Sequence, residues 1–164
     1  MNWAVLILAL VTLQRLGELV LAQRNTGRLL ARGGIEVAAG HYPLLVVLHG
    51  AWLLGLWFFA STGAINLFWL AVFVALQGVR VWVIATLGQR WTTRIIVVPG
   101  EARIRRGPYR FVDHPNYLVV IGEIAALPLA FGLVDFAIVF SILNALALFI
   151  RIRAESQALA SVES

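Results

Sequence analysis

Five apolar runs dominate this chain, at roughly residues 3–21, 43–60, 65–87, 116–132 and 135–150. A transmembrane helix needs about 20 mostly apolar residues, and somewhat fewer where neighbouring helices shield it. Backbone polar groups in lipid must be satisfied inside the segment, so runs of this kind become helices. The composition agrees: 61% of residues are hydrophobic and 13% are charged, where a soluble domain is about a quarter charged. The expected fold is all-α and integral to the membrane, a single domain over residues 1–164 with five transmembrane helices. The last two runs are short and separated by little more than FGLVDF (131–136), so a tight, short C-terminal helical hairpin is expected. The first run has neither a basic stretch before it nor a small-residue cleavage site after it, and is expected to stay as a helix.

The arginines orient the runs. All 13 basic residues are arginine, and the net charge is +5. Arg24, Arg28 and Arg32 follow the first run. Arg90, Arg94, Arg103, Arg105, Arg106 and Arg110 follow the third, and Arg151 and Arg153 follow the fifth. None lies before the first run or in the connections near 61–66 and 132–135. The positive-inside rule makes the arginine side cytoplasmic, with the N-terminus outside and the C-terminus in the cytoplasm of a multi-pass cell-membrane protein. An odd number of crossings fits that parity. Topology thus accounts for the positive charge, and no nucleic-acid partner is expected.

Several chemistries are excluded or lack their signatures. With no cysteine there are no disulfides, thiolate metal sites or cysteine nucleophiles. His41, His49 and His114 show no i, i+4 spacing and no HExxH, so no metal is expected. Phosphate-cradling glycine patterns and the Gly-x-Ser-x-Gly elbow are also missing. The long polar connection, 88–115, carries TTRIIVVPGEARIR, in which β-branched residues flank Pro99-Gly100. Pro then Gly suits the centre of a type II turn, which predicts a small β-hairpin in this cytosolic loop.

Arg15 and Arg80 fall inside runs, as do Glu18, His49, Glu123 and Asn144. Ionisable groups are costly in a membrane, and that makes these residues functional candidates. Counted at 1.5 Å per residue from the inner ends, Arg15, His49, Arg80, Glu123 and Asn144 all lie roughly 9–10 Å deep. A plainer account pairs Arg15 with Glu18 three residues on and lets Arg80 snorkel to the interface. That account leaves His49, Glu123 and Asn144 unexplained, whereas a polar pocket open to the cytoplasm explains them all. Glu123, Arg80 and His49 are the candidate catalytic residues.

The most unusual segment is GPYRFVDHPNY, residues 107–117, a polar knuckle at the mouth of the fourth run. About forty residues later, after the last run, comes RIRAESQAL. The pair resembles the isoprenylcysteine carboxyl methyltransferase family, multi-helix membrane enzymes that use S-adenosylmethionine (SAM). QRLGELVLAQRN, ARGGIE and HYPLLVVLH resemble the bacterial branch that includes alkylpyrone O-methyltransferases. Two positions depart from the family pattern: Asp113 replaces an arginine before His-Pro, and Ser156 replaces a second glutamate.

The resemblance implies a cofactor seat at His114, Pro115, Tyr117 and Glu155, with Arg110 or Arg151 beside it. Glu155 would take the SAM ammonium as a charge-assisted bond. An arginine would take its carboxylate, and the helix start at His114-Pro115 would hold the carboxylate or the ribose. The implied acceptor is a carboxylate, or an enol or phenol hydroxyl, of a lipophilic small molecule or a prenylated substrate drawn from the bilayer. Taken singly, these residues have duller uses. His114-Pro115 suits any helix start, Glu155 suits a solvated tail, and Tyr109, Tyr117 and Trp91 suit an interfacial belt. Two rival functions remain at this point: an NADPH-dependent membrane reductase of related architecture, and a non-enzymatic membrane subunit whose arginines meet anionic lipid. The oligomeric state has no signature in the sequence.

Overall fold

The computed structural model describes residues 3–37, 39–60, 64–102 and 104–163, with side chains described as far as Arg153 except for His41. Five helices form: α1 (Trp3–Ala31), α2 (Tyr42–Phe59), α3 (Leu67–Leu87), α4 (Pro115–Ala130) and α5 (Val134–Glu163). Among the described residues, α1, α2, α3 and α5 are long and apolar enough to cross a membrane. The fourth apolar helix, α4, has 16 residues.

The bundle carries much of its apolar surface outward. Leu13, Phe58 and Leu67 are 66%, 84% and 75% exposed, which suits lipid and would be a liability in water. The interior is a modest cluster joining all five helices, including Leu8, Trp52, Leu56, Phe73, Ile124, Leu127 and Leu148. Helix α4 is the centre of the bundle. It packs closely on both α3 and α5, while α2 touches α1 and α5 only sparsely.

Local chemistry fixes the helix ends. Asn66 caps α3, its Oδ1 accepting from the backbone N–H groups of Phe68 at 3.1 Å and Trp69 at 3.3 Å. Its own N–H donates to the Ala130 carbonyl at 2.9 Å, tying the start of α3 to the end of α4. Helix α4 starts with Pro115 in its first turn, where the missing N–H costs nothing. It ends in a Schellman motif: Leu133 N–H donates to Pro128 O at 2.9 Å and Gly132 N–H to Leu129 O at 3.1 Å. Gly132, with φ 76°, supplies the left-handed turn that throws the chain straight into α5.

Three expectations are corrected. The helices at the ends of the chain outrun their apolar cores: α1 continues to Ala31 and α5 to Glu163. The C-terminal hairpin is therefore formed, but its second arm is 30 residues long and not short. Beyond residue 21, α1 keeps a buried stripe at Ala22, Asn25 and Leu29, and that stripe sustains the helix. Among the described residues, the predicted hairpin about Pro99-Gly100 does not form. The turn itself exists, with Glu101 N–H donating to Val98 O at 3.2 Å and Gly100 at φ 78°. However, β2 (Ile95–Val97) pairs antiparallel with β1 (Ile35–Val37) from the other arginine-rich connection, in the register Ile35↔Val97. Ion pairs lace the same two connections: Arg94 with Glu36 at 2.9 Å, Arg90 with Glu101 at 2.7 Å, and Arg32 with Glu101. The hydrogen bond that Arg94 donates to Glu36 raises its guanidinium above the ordinary pKa.

Candidate functional site

Two polar groupings lie along the bundle. The deeper one joins α1, α3 and α4. Glu123 is buried, and its Oε2 accepts from Arg15 Nη2 at 2.8 Å and Arg80 Nη1 at 2.6 Å. Its Oε1 accepts from Gln77 at 2.7 Å. Glu18 accepts from Arg15 Nη1 at 2.9 Å, Arg80 Nε at 2.7 Å and Gln14 at 2.9 Å. Gln14 also donates to Gln77 at 2.7 Å, which closes the ring. Two carboxylates and two guanidiniums cancel in charge, as a buried cluster must nearly do. Arg15 and Glu18 do pair three residues apart. Arg80 does not snorkel: it is 8% exposed and bridges both carboxylates.

His49 sits beside this ring, within electrostatic reach of Arg15, Arg80 and Glu123. Its Nδ1 lies 2.8 Å from the Leu45 carbonyl. A carbonyl only accepts, so Nδ1 carries the proton, and in the neutral ring Nε2 presents its lone pair. Asn144 is wholly buried on α5, and neither its Oδ1 nor its Nδ2 has a hydrogen-bond partner among the described residues. The expectation that five helices bring polar groups to one level thus resolves into a closed ring from α1, α3 and α4, with His49 and Asn144 outside its hydrogen bonds.

The second grouping is the knuckle. Gly107–Arg110 forms a single 3₁₀ turn, with Pro108 buried. Gly107 holds φ 57°, and a side chain there would also strike Thr86. The turn delivers the chain to His114, which precedes α4 and makes no side-chain cap bond to it. The His114 and Tyr117 rings stack with centroids 5.1 Å apart. Arg151, arriving on α5, donates from Nε to the Tyr117 hydroxyl at 2.9 Å and from Nη2 to the Thr93 carbonyl at 2.8 Å. Residues from the start of α4, the end of the α5 core and the approach to β2 therefore meet.

Of the residues expected at a cofactor seat, His114, Pro115, Tyr117 and Arg151 are brought together. Arg110 stands on the exposed outer side, its guanidinium 5.3 Å from the Phe111 ring centroid. The side chain of Glu155 lies outside the described residues. The belt reading of Trp91 is corrected: it is buried with Ala22 and Val83, because Asn25 donates to its carbonyl at 2.8 Å and pulls the chain inward. Sequence reasoning passed over Asn116, Gln14 and Gln77. Asn116 Oδ1 is buried beside the knuckle and has no partner among the described residues. The signal was available in HPNY, where a polar residue sits in the first turn of an apolar helix. Gln14 and Gln77 carried a weaker signal, each lying within one turn of an intramembrane arginine.

The comparisons with known proteins bear on this arrangement. The family model "Isoprenylcysteine carboxyl methyltransferase (ICMT) family" matches residues 69–161, a stretch that includes most of α3, the knuckle, α4 and most of α5. "Uncharacterized protein YpbQ" of Bacillus subtilis (strain 168) is 38% identical over 161 residues, covering 94% of this chain and 95% of that one. No solved structure matches. With more than half its length matched by the family model and a relative aligned almost end to end, the chain belongs to the isoprenylcysteine carboxyl methyltransferase family.

Proposed function

We propose that the protein is an integral membrane SAM-dependent O-methyltransferase acting on a carboxylate, or on an enol or phenol hydroxyl, of a lipophilic substrate. The observation that carries this reading is the meeting of His114, Tyr117 and Arg151 at the uncapped start of α4, within the region that family membership covers. The residues suit SAM. Arg151 and the first-turn amides of α4 offer positive charge to its carboxylate. The orphaned Asn116 Oδ1 offers an acceptor to its ammonium or ribose hydroxyls. Tyr117 and His114 give a ring surface for the adenine, and Glu155 and Arg110 flank the seat along the chain. SAM supplies a methyl group on a positively charged sulfur.

The protein's own part is orientation, exclusion of water and, for a hydroxyl acceptor, removal of a proton. Both oxygens of Glu123 are already occupied by donors, so Glu123 serves to hold Arg80 and Arg15 in place. Arg80 then orients an anionic acceptor. Between Glu123 and His49 as base, the arrangement favours His49, whose Nε2 lone pair has no partner among the described residues. We place five crossings in the bilayer, with the arginine-rich connections cytoplasmic and the N-terminus outside. Helix α4 is only about 24 Å long, but α3 and α5 enclose it, so it need not match the lipid thickness.

Titration calorimetry of the detergent-purified protein with SAM, and separately with NADPH, tests the reading. SAM should bind and NADPH should not. Arg151→Ala should weaken SAM by about 1.5–3 kcal/mol, the worth of a hydrogen bond to a charged group. SAM affinity unchanged in Arg151→Ala and also in His114→Ala would remove the knuckle as the seat.

A further inference from the structure

The outer side of the knuckle carries a feature that neither the cofactor seat nor the polar ring uses. Pro108 and Phe111 line one end of an apolar groove of about 240 Å³. Val79 and Trp82 of α3 and Leu118 of α4 form its sides, with Leu76 at the far end. No charged residue lines it. Two contacts fix its level. Gly122 of α4 abuts Leu76, where an added Cβ would lie 2.7 Å from Leu76 Cδ1. Gly107 abuts Thr86 near the end of α3. Ten residues of α3 separate Leu76 from Thr86, about 15 Å of helix. The groove therefore climbs from the level of Gln77 and Glu123 toward the arginine-rich end of the bundle.

It opens on lipid and on neither polar grouping. Successive residues turn by about 100° around a helix. Leu118 and Gly122 share one face of α4, while Tyr117 and Glu123 lie about 100–140° round from it on opposite sides. Val79 is likewise about 100° round α3 from Arg80. Phe111, Leu118 and Trp82 are 71%, 54% and 48% exposed. The rim is cationic. The Arg110 guanidinium lies 5.3 Å from the centroid of the Phe111 ring. Arg105 and Arg106 are exposed and lead into Gly107, whose contact with Thr86 is one turn beyond Trp82. Elsewhere on this side of the bundle carboxylates take up the guanidiniums: Glu36 holds Arg94, and Glu101 holds Arg32 and Arg90. Arg105, Arg106 and Arg110 have no carboxylate partner among the described residues, and the exposed Asp113 makes no ion pair with them.

Unpaired cations at the mouth of a lipid-facing apolar groove are complementary to an amphiphile with an anionic head and a hydrocarbon tail. The bilayer offers that combination as anionic phospholipid. We propose that the groove is a binding site for one anionic phospholipid. An acyl chain lies along Trp82, Val79 and Leu118 toward Leu76 and covers the ring of Phe111. The phosphate sits among Arg110, Arg106 and Arg105, since a guanidinium pairs with phosphate through two parallel hydrogen bonds. A zwitterionic headgroup brings its own cation to the same arginines and is the poorer ligand. The site lies outside the methyl-transfer centre and does not depend on what the seat binds.

Photolabelling tests this in full-length protein reconstituted into phosphatidylcholine vesicles. A minor fraction of phosphatidylglycerol carries a diazirine midway along one acyl chain, and the adducts are mapped by peptide mass spectrometry. They should concentrate on residues 76–82 and on Leu118. Unlabelled phosphatidylglycerol should compete them away, and extra phosphatidylcholine should not. The double variant Arg106→Gln with Arg110→Gln changes exposed side chains only and should lower groove labelling roughly tenfold or more, at about fivefold per arginine. Adducts spread evenly over the lipid-facing helices overturn the proposal, as does equal labelling of the groove by a phosphatidylcholine probe. Full labelling in the double variant removes the arginines as the headgroup site and overturns it too. Displacement by a neutral long-chain alcohol as effective as that by phosphatidylglycerol would make the groove a slot for any alkyl tail, the acceptor's included, and would overturn the assignment to an anionic lipid.

Discussion

Glu123 shows how much a single position depends on residues distant in the chain. Two arginines and a glutamine, from α1 and α3, converge on its carboxylate. Removing one charge from such a buried set leaves its partners uncompensated, at a cost of about 3–5 kcal/mol. Glu123→Gln should therefore lower thermal stability in detergent by that order. Adding Arg80→Met should recover part of the loss, because the surplus positive charge goes with it. A double variant less stable than Glu123→Gln alone would show that the ring is not a balanced unit. At this scale the sequence was informative about which residues are costly, since an ionisable side chain within an apolar run stands out by itself. It was silent on who pairs with whom. Arg15 looked self-sufficient with Glu18, yet it also reaches Glu123, 108 positions away.

Among the elements, the apolar runs gave the helices, and Pro-Gly gave a turn. The strand partners were another matter. Alternation along a strand says which face is buried and nothing about which other strand it meets. IIVVPG looked like half of a hairpin, but residues 101–102 and 104–105 after the turn form no strand, and Ile35–Val37 takes the place. Cysteines at Ile35 and Val97 face each other in this register and should form a disulfide on mild oxidation, read as a mobility change on a non-reducing gel. A pair at Val97 and Ala102 is the control for a local hairpin. Cross-linking of the control in preference to Ile35–Val97 would contradict the observed pairing. The knuckle was legible for a different reason: its residues are close together in sequence, so the motif and the local geometry are the same object. The contribution of Thr93 was not legible, because it acts through a backbone carbonyl that any residue carries.

For the whole molecule, the proposed orientation rests on the asymmetry of arginine. Single cysteines at Ala64 and Ala102 test it with a membrane-impermeant maleimide on intact cells. Residue 64 should label from outside, and residue 102 only after permeabilisation. Labelling of residue 102 on intact cells would invert the topology and put the knuckle on the wrong side for a cytosolic methyl donor.

The pairing of Ile35 with Val97 has a consequence for biosynthesis. The two strands are separated by the whole of α2 and α3, so the sheet cannot close until both have been made and inserted. A chain emerges from its N-terminus onward, and contacts of such long range form late. Arg151, which ties the last helix to Tyr117 and Thr93, is delivered later still. The cap on the arginine-rich side is therefore completed in the order of synthesis, the sheet first and the Arg151 clasp after it. A chain cut short before Arg151 has no clasp, and on the proposed reading it has no complete seat for a methyl donor.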